Sequence, residues 1–186
     1  MAESGEPKLK RFYVAAMLDA AREIWGEDGV HDVARRMPER EREEILAPQL
    51  PPWVPERVLI AWNFALWEGP ANRSRQAYVP WLKRTTDLSF GIVKRLFLSL
   101  ASPERFFADA HGLWKADHTH GTLEGRIDGK RGVLVLRDHP YTETPQARAA
   151  LAEMLRYIVE LTRAKDVTET HGLSPKGTLE VKLAWR

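Results

Sequence analysis

The spacing of apolar residues changes near the middle of the chain. In the first half, apolar residues recur every three or four positions, as in the series Leu88, Ile92, Leu96 and Leu100, which is typical of helices. From about Thr119 onward the spacing falls to two, as in the closing segment GTLEVKLAW, which is typical of strands. This change predicts a helical first half and a second half built largely from strands.

Glycine and proline divide the first half into short helices. We expect helices over 8–25, 28–36, 38–46, 55–67, 72–82, 87–100 and from Ser102 onward. Gly26 is placed to end the first helix, and Pro80 is expected to break or kink the helix over 72–82. The proline-rich segment APQLPPWVPER predicts an extended connector.

The second half predicts two hairpin-forming pairs of strands around one helix. Asp128-Gly129 is a strong hairpin signal, and Val133–Leu136 is apolar on both faces, as in an internal strand. A helix is expected to begin at Thr144-Pro145, followed by an edge strand over Val167–Thr170 and a last strand over 179–185. The predicted fold class is α+β, with the helical N-terminal half packed on a four-stranded antiparallel sheet crossed by one helix, in the order ββαββ.

We expect three segments along the chain. Residues 1–7 predict a disordered tail, residues 8–50 an N-terminal helical hairpin, and residues 51–186 a single α+β domain. Within that domain the helices span 55–116 and the ββαββ part spans 119–186.

Composition excludes several classes of function. The chain has no Cys, which excludes disulfides, thiolate nucleophiles and Cys-based zinc or iron–sulfur sites. With 28 basic against 26 acidic residues, it lacks the charge expected of a nucleic-acid-binding protein. The longest apolar run, Val58–Trp67, is far shorter than the roughly 20 residues that span a bilayer. We therefore expect a cytoplasmic protein with no nucleic acid or membrane partner.

The histidines are the only candidate metal ligands with a suggestive spacing. In an extended segment His118 and His120 would project to one side, and a third ligand could come from His111, His139 or Asp138. The competing interpretation is an exposed, polar entry to a strand. No phosphate loop, nucleophile elbow or HExxH motif is present, and Ser102 is explained as a helix cap. The chain is predicted not to be an enzyme.

Aromatic residues are concentrated between residues 60 and 114. Aromatic side chains with a few polar neighbours line many small-molecule pockets, and the ligand-binding candidates are Trp62, Asn63, Tyr78, Trp81, Phe97, Phe107 and Trp114. Three interpretations remain open at this point. The aromatics could fill a helical core, line an apolar pocket between the helices and the sheet, or anchor a protein interface.

Two stretches carry a family resemblance, SFGIVKRLFLSLASPERFFADAHGLWKADHTHGTLEG and AKDVTETHGLSPKGTLEVKLAW. With weaker matches at LDAAREIWGEDGV and PPWVPERV, most of residues 12–186 resembles a family of small proteins and domains of unknown function found mainly in myxobacteria. That family is similar to the 4-vinyl-reductase and heme-nitric-oxide-binding domains. The resemblance implies a sensory domain that binds a small hydrophobic molecule or heme.

The chain departs from these relatives at the residues that give them their chemistry. The vinyl-reductase type usually carries Cys where this chain has Ala147 and Leu179, so a zinc site of that kind is absent. The nitric-oxide sensors use an axial histidine on a helix and a Tyr-x-Ser-x-Arg motif. Here His111 is on a predicted helix, but Tyr78 begins YVPWL and the motif occurs nowhere. No cofactor is predicted.

Three functions remain as hypotheses. The first is a non-catalytic sensory or ligand-binding domain that holds a small apolar molecule between the helical half and the sheet. The second is a protein-interaction module, for which a homodimer is one form, that uses the same aromatic surface. The third is a metal-dependent enzyme built on the histidines.

Overall fold

A computed structural model of the chain describes residues 5–174 and 177–186, with the backbone alone at residues 92–95 and 97. The described chain divides into an N-terminal unit, which ends at Ser89, and a C-terminal unit, Phe90–Arg186. No helix in the described ranges is both long enough and apolar enough to cross a membrane.

The N-terminal unit is helical. Its elements are β1 (Lys8–Lys10), α1 (Arg11–Arg36), α2 (Glu39–Ile45), β2 (Trp53–Pro55), α3 (Glu56–Glu68) and the first part of α4 (Arg75–Leu100). The short strands β1 and β2 pair antiparallel, with Leu9 opposite Val54, and both side chains are buried. The prediction that a helix begins at Lys8 is therefore wrong, because Lys8–Lys10 pairs with a segment far along the chain.

Of the predicted tail, residues 1–4 lie outside the described residues, whereas the Pro7 carbonyl accepts a 2.9 Å hydrogen bond from the backbone N–H of Glu56.

Glycine, rather than proline, interrupts the two long helices. Gly26 in α1 has φ 70° and ψ −176°, and Gly91 in α4 has φ 59° and ψ 178°. This backbone region is accessible essentially to glycine alone. The break at Gly26 is confirmed, and the helix resumes to Arg36. Of the break or kink predicted at Pro80, the break is wrong: α4 continues through Pro80, which lies in its second turn and lacks one backbone hydrogen bond near the start of the helix.

The C-terminal unit confirms the predicted α+β class and the ββαββ order. After α5 (Pro103–Asp117) come β3 (Thr122–Asp128), β4 (Arg131–Arg137), a 3₁₀ turn (Pro140–Thr142), α6 (Pro145–Glu160), β5 (Thr168–Leu173) and β6 (Leu179–Ala184). The four strands form an antiparallel sheet in the order β3-β4-β6-β5. The hairpin at Gly129, the internal position of β4 and the edge position of β5 are as predicted, although β5 extends three residues further.

Two glycines allow α5 to approach the sheet closely. A Cβ atom at Gly125 would lie 2.2 Å from the Phe107 carbonyl oxygen, and one at Gly132 would lie 2.3 Å from the Phe107 ring. The ring stacks on Trp185, with centroids 5.7 Å apart. The backbone and the ring of Phe107 on α5 thus occupy the space that a larger residue at Gly125 on β3 or Gly132 on β4 would need.

Candidate functional site

Helices α3 and α4 bring three of the predicted ligand-binding residues together in the N-terminal unit. The Tyr78 hydroxyl donates a 2.6 Å hydrogen bond to Asn63 Oδ1, and Asn63 Nδ2 donates to the Leu59 carbonyl at 2.8 Å. The ring of Trp81 lies 5.4 Å from that of Tyr78. These bonds fix the side chain of Asn63 at both of its polar atoms.

The polar atoms of Trp81 and Tyr78 are both paired although the side chains are buried. Trp81 is 0% exposed, and its indole Nε1 donates to the Met17 carbonyl at 3.2 Å. Trp67 packs edge-on against Tyr78, with centroids 5.4 Å apart and an interplanar angle of 89°. Burial raises the pKa of Tyr78 above the ordinary range of a phenol. Tyr78 is therefore a neutral hydrogen-bond donor.

Trp62, which precedes Asn63 on α3, has no such pairing. Its side chain is 0% exposed, yet its indole Nε1 has no hydrogen-bond partner among the described residues. Leaving a buried donor unsatisfied costs about 1–3 kcal/mol. An indole N–H can only donate, so Trp62 presents a donor inside the protein that a bound acceptor would satisfy.

Thr85 is a second buried polar side chain with the same property. It is 8% exposed, and its hydroxyl Oγ1 also lacks a partner within the described part of the chain. Sequence analysis missed Thr85, because a threonine in a helix is unremarkable by itself. Its signal is spacing: Tyr78, Trp81 and Thr85 are three and four residues apart and share one face of α4.

The C-terminal unit contains a separate cluster of aromatic and imidazole rings around Trp114. His118 stacks on Trp114, with centroids 3.8 Å apart and an interplanar angle of 4°. His139 meets the indole edge-on at 4.9 Å, and Tyr141 lies beside His139 at 4.6 Å. Trp114 Nε1 donates to the His120 carbonyl at 2.9 Å. Phe107 lies apart from this cluster, against Phe106 and Trp185.

The structure brings His118 together with His139, one of the three candidates for a further ligand, but not with His120. His118 and His139 each place a ring nitrogen within 4.8 Å of the other, whereas His120 Nδ1 lies 2.9 Å from Thr119 Oγ1 and His111 is exposed. His139 Nδ1 accepts a 3.3 Å hydrogen bond from the Tyr141 backbone N–H. Neutral His139 therefore carries its proton on Nε2, so a metal ion at Nε2 would have to displace that proton and the hydrogen bond at Nδ1.

All five described aromatic candidates are buried. Trp62, Tyr78, Trp81, Phe107 and Trp114 are at most 8% exposed, so they offer no surface to a protein partner. The side chain of Phe97, the remaining aromatic candidate, lies outside the described residues. Asn63 is partly exposed.

The structure is similar to solved structures of H-NOX proteins. One is a triple mutant of the H-NOX protein from S. oneidensis in the Fe(II) ligation state, with a TM-score of 0.67 and 9% identity over 96% of each chain. Another is the Fe(II) unliganded H-NOX protein from K. algicida, with a TM-score of 0.66 and 8% identity over 96% of this chain and 97% of that one. A third is an oxygen-binding H-NOX domain related to soluble guanylate cyclases, with a TM-score of 0.62 and 9% identity over 96% of this chain and 95% of that one.

The chain has the H-NOX fold. At sequence identities of 8–9%, the similarity establishes the fold and does not establish a shared function. No protein-family model matches this sequence, and no curated protein is similar to it.

The described residues do not fit heme held by the motif of the nitric-oxide sensors. His111, the histidine on α5, is exposed, whereas an axial ligand lies inside the protein. Neutral His139 is buried but has its Nδ1 lone pair engaged by Tyr141 and its proton on Nε2. The buried polar side chains of the described chain include no Arg or Lys to pair with a propionate.

Proposed function

We propose that this chain is a non-catalytic sensory or ligand-binding domain that holds a small apolar molecule at the indole nitrogen of Trp62. One observation carries the proposal. Trp62 is fully buried and keeps its N–H donor without an acceptor among the described residues. A fold tolerates such a donor at a cost, and a ligand that accepts from it recovers that cost on binding.

A hydrogen bond beside Trp62 in the sequence joins the two helices that carry the candidate residues. Asn63, the next residue, is held by Tyr78 and by the Leu59 carbonyl, so α3 and α4 are joined by a bond that needs no ligand. Apolar and aromatic side chains with a few fixed polar groups are the usual lining of small-molecule sites. A site of this type binds by shape and by one or two hydrogen bonds.

The likeness to other proteins supports the same class of function. One of the similar H-NOX structures is described as oxygen-binding and related to guanylate cyclases. The resemblance to the myxobacterial family and to 4-vinyl-reductase domains favours a small hydrophobic ligand. A cytoplasmic sensory input is the corresponding role for this chain.

The test is recovery of a ligand from the purified protein. We expect native mass spectrometry under mild conditions to show a bound small molecule, and organic extraction to release a neutral, apolar compound. The variant Trp62→Phe should carry less of it. Trp53→Phe is the matched control, because Trp53 is 36% exposed on β2. If wild-type protein gives neither an adduct nor an extract, and binds no added apolar probe, the proposed function is wrong.

A further inference from the structure

Resting on the proposed function, we infer that the ligand is uncharged and carries a hydrogen-bond acceptor, such as the oxygen of a ketone, an aldehyde or an ether. The first step concerns which partner donates the hydrogen bond. Trp62 Nε1 is a donor and has no capacity to accept. The ligand atom that faces Trp62 Nε1 must therefore present a lone pair. An ammonium group has none, and a plain hydrocarbon would leave the Trp62 donor unsatisfied.

The second step excludes anions. A carboxylate or phosphate taken out of water needs a positive partner, because an isolated buried charge is very costly. In the N-terminal unit, which contains Trp62, the buried polar side chains of the described residues are Glu56, Thr85 and Thr86. None of these is Lys or Arg, and Glu56 is acidic. A buried anion in this unit would thus have no buried cation among the described side chains to pair with.

The third step concerns Thr85. A threonine hydroxyl can donate as well as accept, and Thr85 Oγ1 is buried without a partner in the described ranges. A hydroxyl-bearing ligand would satisfy Thr85. Thr85 is therefore compatible with either kind of ligand atom, whereas Trp62 requires one with a lone pair.

The experiment compares two probes of equal shape. Cyclohexanone and methylenecyclohexane differ in that a C=O replaces a C=CH₂, so only the ketone can accept from Trp62. We expect Trp62→Phe to weaken cyclohexanone binding about tenfold, which is the loss of one buried hydrogen bond, and to change methylenecyclohexane binding by less than about threefold. Trp53→Phe, the control at a half-exposed position, should change neither.

A second measurement on unmodified protein keeps the test decisive if Trp62→Phe fails to fold. The chain has seven tryptophans, whose indole N–H signals can be followed in an ¹⁵N-labelled sample. Cyclohexanone should shift one indole proton downfield, whereas methylenecyclohexane should not.

The outcomes separate the two proposals. If neither probe binds wild-type protein and no ligand is extracted, the proposed function fails and this inference fails with it. If both probes bind and Trp62→Phe weakens them equally, a ligand site exists but its acceptor does not face Trp62. If cyclohexanecarboxylate at neutral pH binds more tightly than cyclohexanone, the inference that the ligand is uncharged is overturned.

Discussion

Trp62 and Trp81 form a natural comparison at the level of single residues. Both indoles are 0% exposed, but Trp81 donates to the Met17 carbonyl and Trp62 has no acceptor among the described residues. Replacing either with Phe removes a similar amount of buried area. The hydrogen-bonding consequences are opposite, because one variant loses a bond and the other removes an unsatisfied donor.

We therefore expect Trp81→Phe to cost more stability than Trp62→Phe in ligand-extracted protein. The difference in the free energy of unfolding should be about 1–3 kcal/mol, the usual cost of one unsatisfied buried donor. Urea denaturation monitored by circular dichroism measures it. Equal losses from the two variants would mean that the Trp62 N–H finds an acceptor in the ligand-free protein.

The sequence indicated part of the site but not its pairing. Aromatic density between residues 60 and 114 pointed to Trp62, Asn63, Tyr78 and Trp81, and three of these do meet. The bond from Trp81 to Met17 joins residues 64 positions apart, and no local spacing encodes it. The same limit applies to His118, which meets His139 from a distant segment.

At the level of elements, the contact between α5 and β3 depends on Gly125. A Cβ atom there would lie 2.2 Å from the backbone oxygen of Phe107, which cannot move without shifting the helix. We expect Gly125→Ala to lower the free energy of unfolding by about 1–3 kcal/mol or more, as overpacking does. Gly172→Ala is the matched control, because nothing lies within 4 Å of the added Cβ on β5. A neutral Gly125→Ala in chemical denaturation would contradict this packing.

Element types were more predictable than element boundaries. The period of two, the Asp128-Gly129 turn and the caps at Ser102 and Thr144 all depend on short-range patterns, and the structure has each of them. The pairing of β1 with β2 joins residues 45 positions apart, such as Leu9 and Val54. Because short-range patterns do not contain that pairing, the first helix was predicted to include Lys8–Lys10. Helix α4 continues through Pro80, which lies near its start. At Gly91 the helix is interrupted, because the backbone there adopts non-helical angles that are accessible essentially to glycine alone.

At the scale of the molecule, Arg57 connects three segments of the N-terminal unit. Its guanidinium donates to Glu6 at 2.6 Å, to Glu41 at 2.9 Å and to Glu44 at 2.5 Å. Partial burial would raise the pKa of Glu44, but the hydrogen bonds and charges of Arg57 and Arg40 outweigh it and hold that pKa below its ordinary value. Arg57 therefore links the residues before β1, helix α2 and helix α3.

Removing Arg57 should weaken the fold in a manner that depends on pH. We expect Arg57→Ala to lower the free energy of unfolding by about 1–3 kcal/mol at pH 7, as for hydrogen bonds between charged groups. Because the pKa of Glu44 is lowered in the folded state, this stabilisation is present above the ordinary value of 4.5 and is lost as the pH falls through the lowered pKa. The gap between variant and wild type should thus shrink in acid.

The control for this prediction is Arg40→Ala. Arg40 also pairs with Glu44, at 3.3 Å, but its side chain is 69% exposed. Exposed ion pairs contribute about 0–1 kcal/mol, so this variant should stay close to wild type. Denaturation curves at several pH values between 3 and 7 distinguish the two. A loss in Arg57→Ala that is constant over this range would show that packing, not charge, explains it.

The exposed edge of strand β5 is relevant to the association of copies of this protein at high concentration. It pairs with β6 along one side, lies at the edge of the sheet and is exposed along most of its length. Unpaired strand edges recruit other strands, and natural proteins counter this with short, charged or glycine-containing edges. The sequence TETHGL meets that description, with the Glu169–His171 pair and Gly172 on the strand. By this principle, the composition of β5 disfavours pairing between copies of the protein, a consequence that does not depend on any ligand.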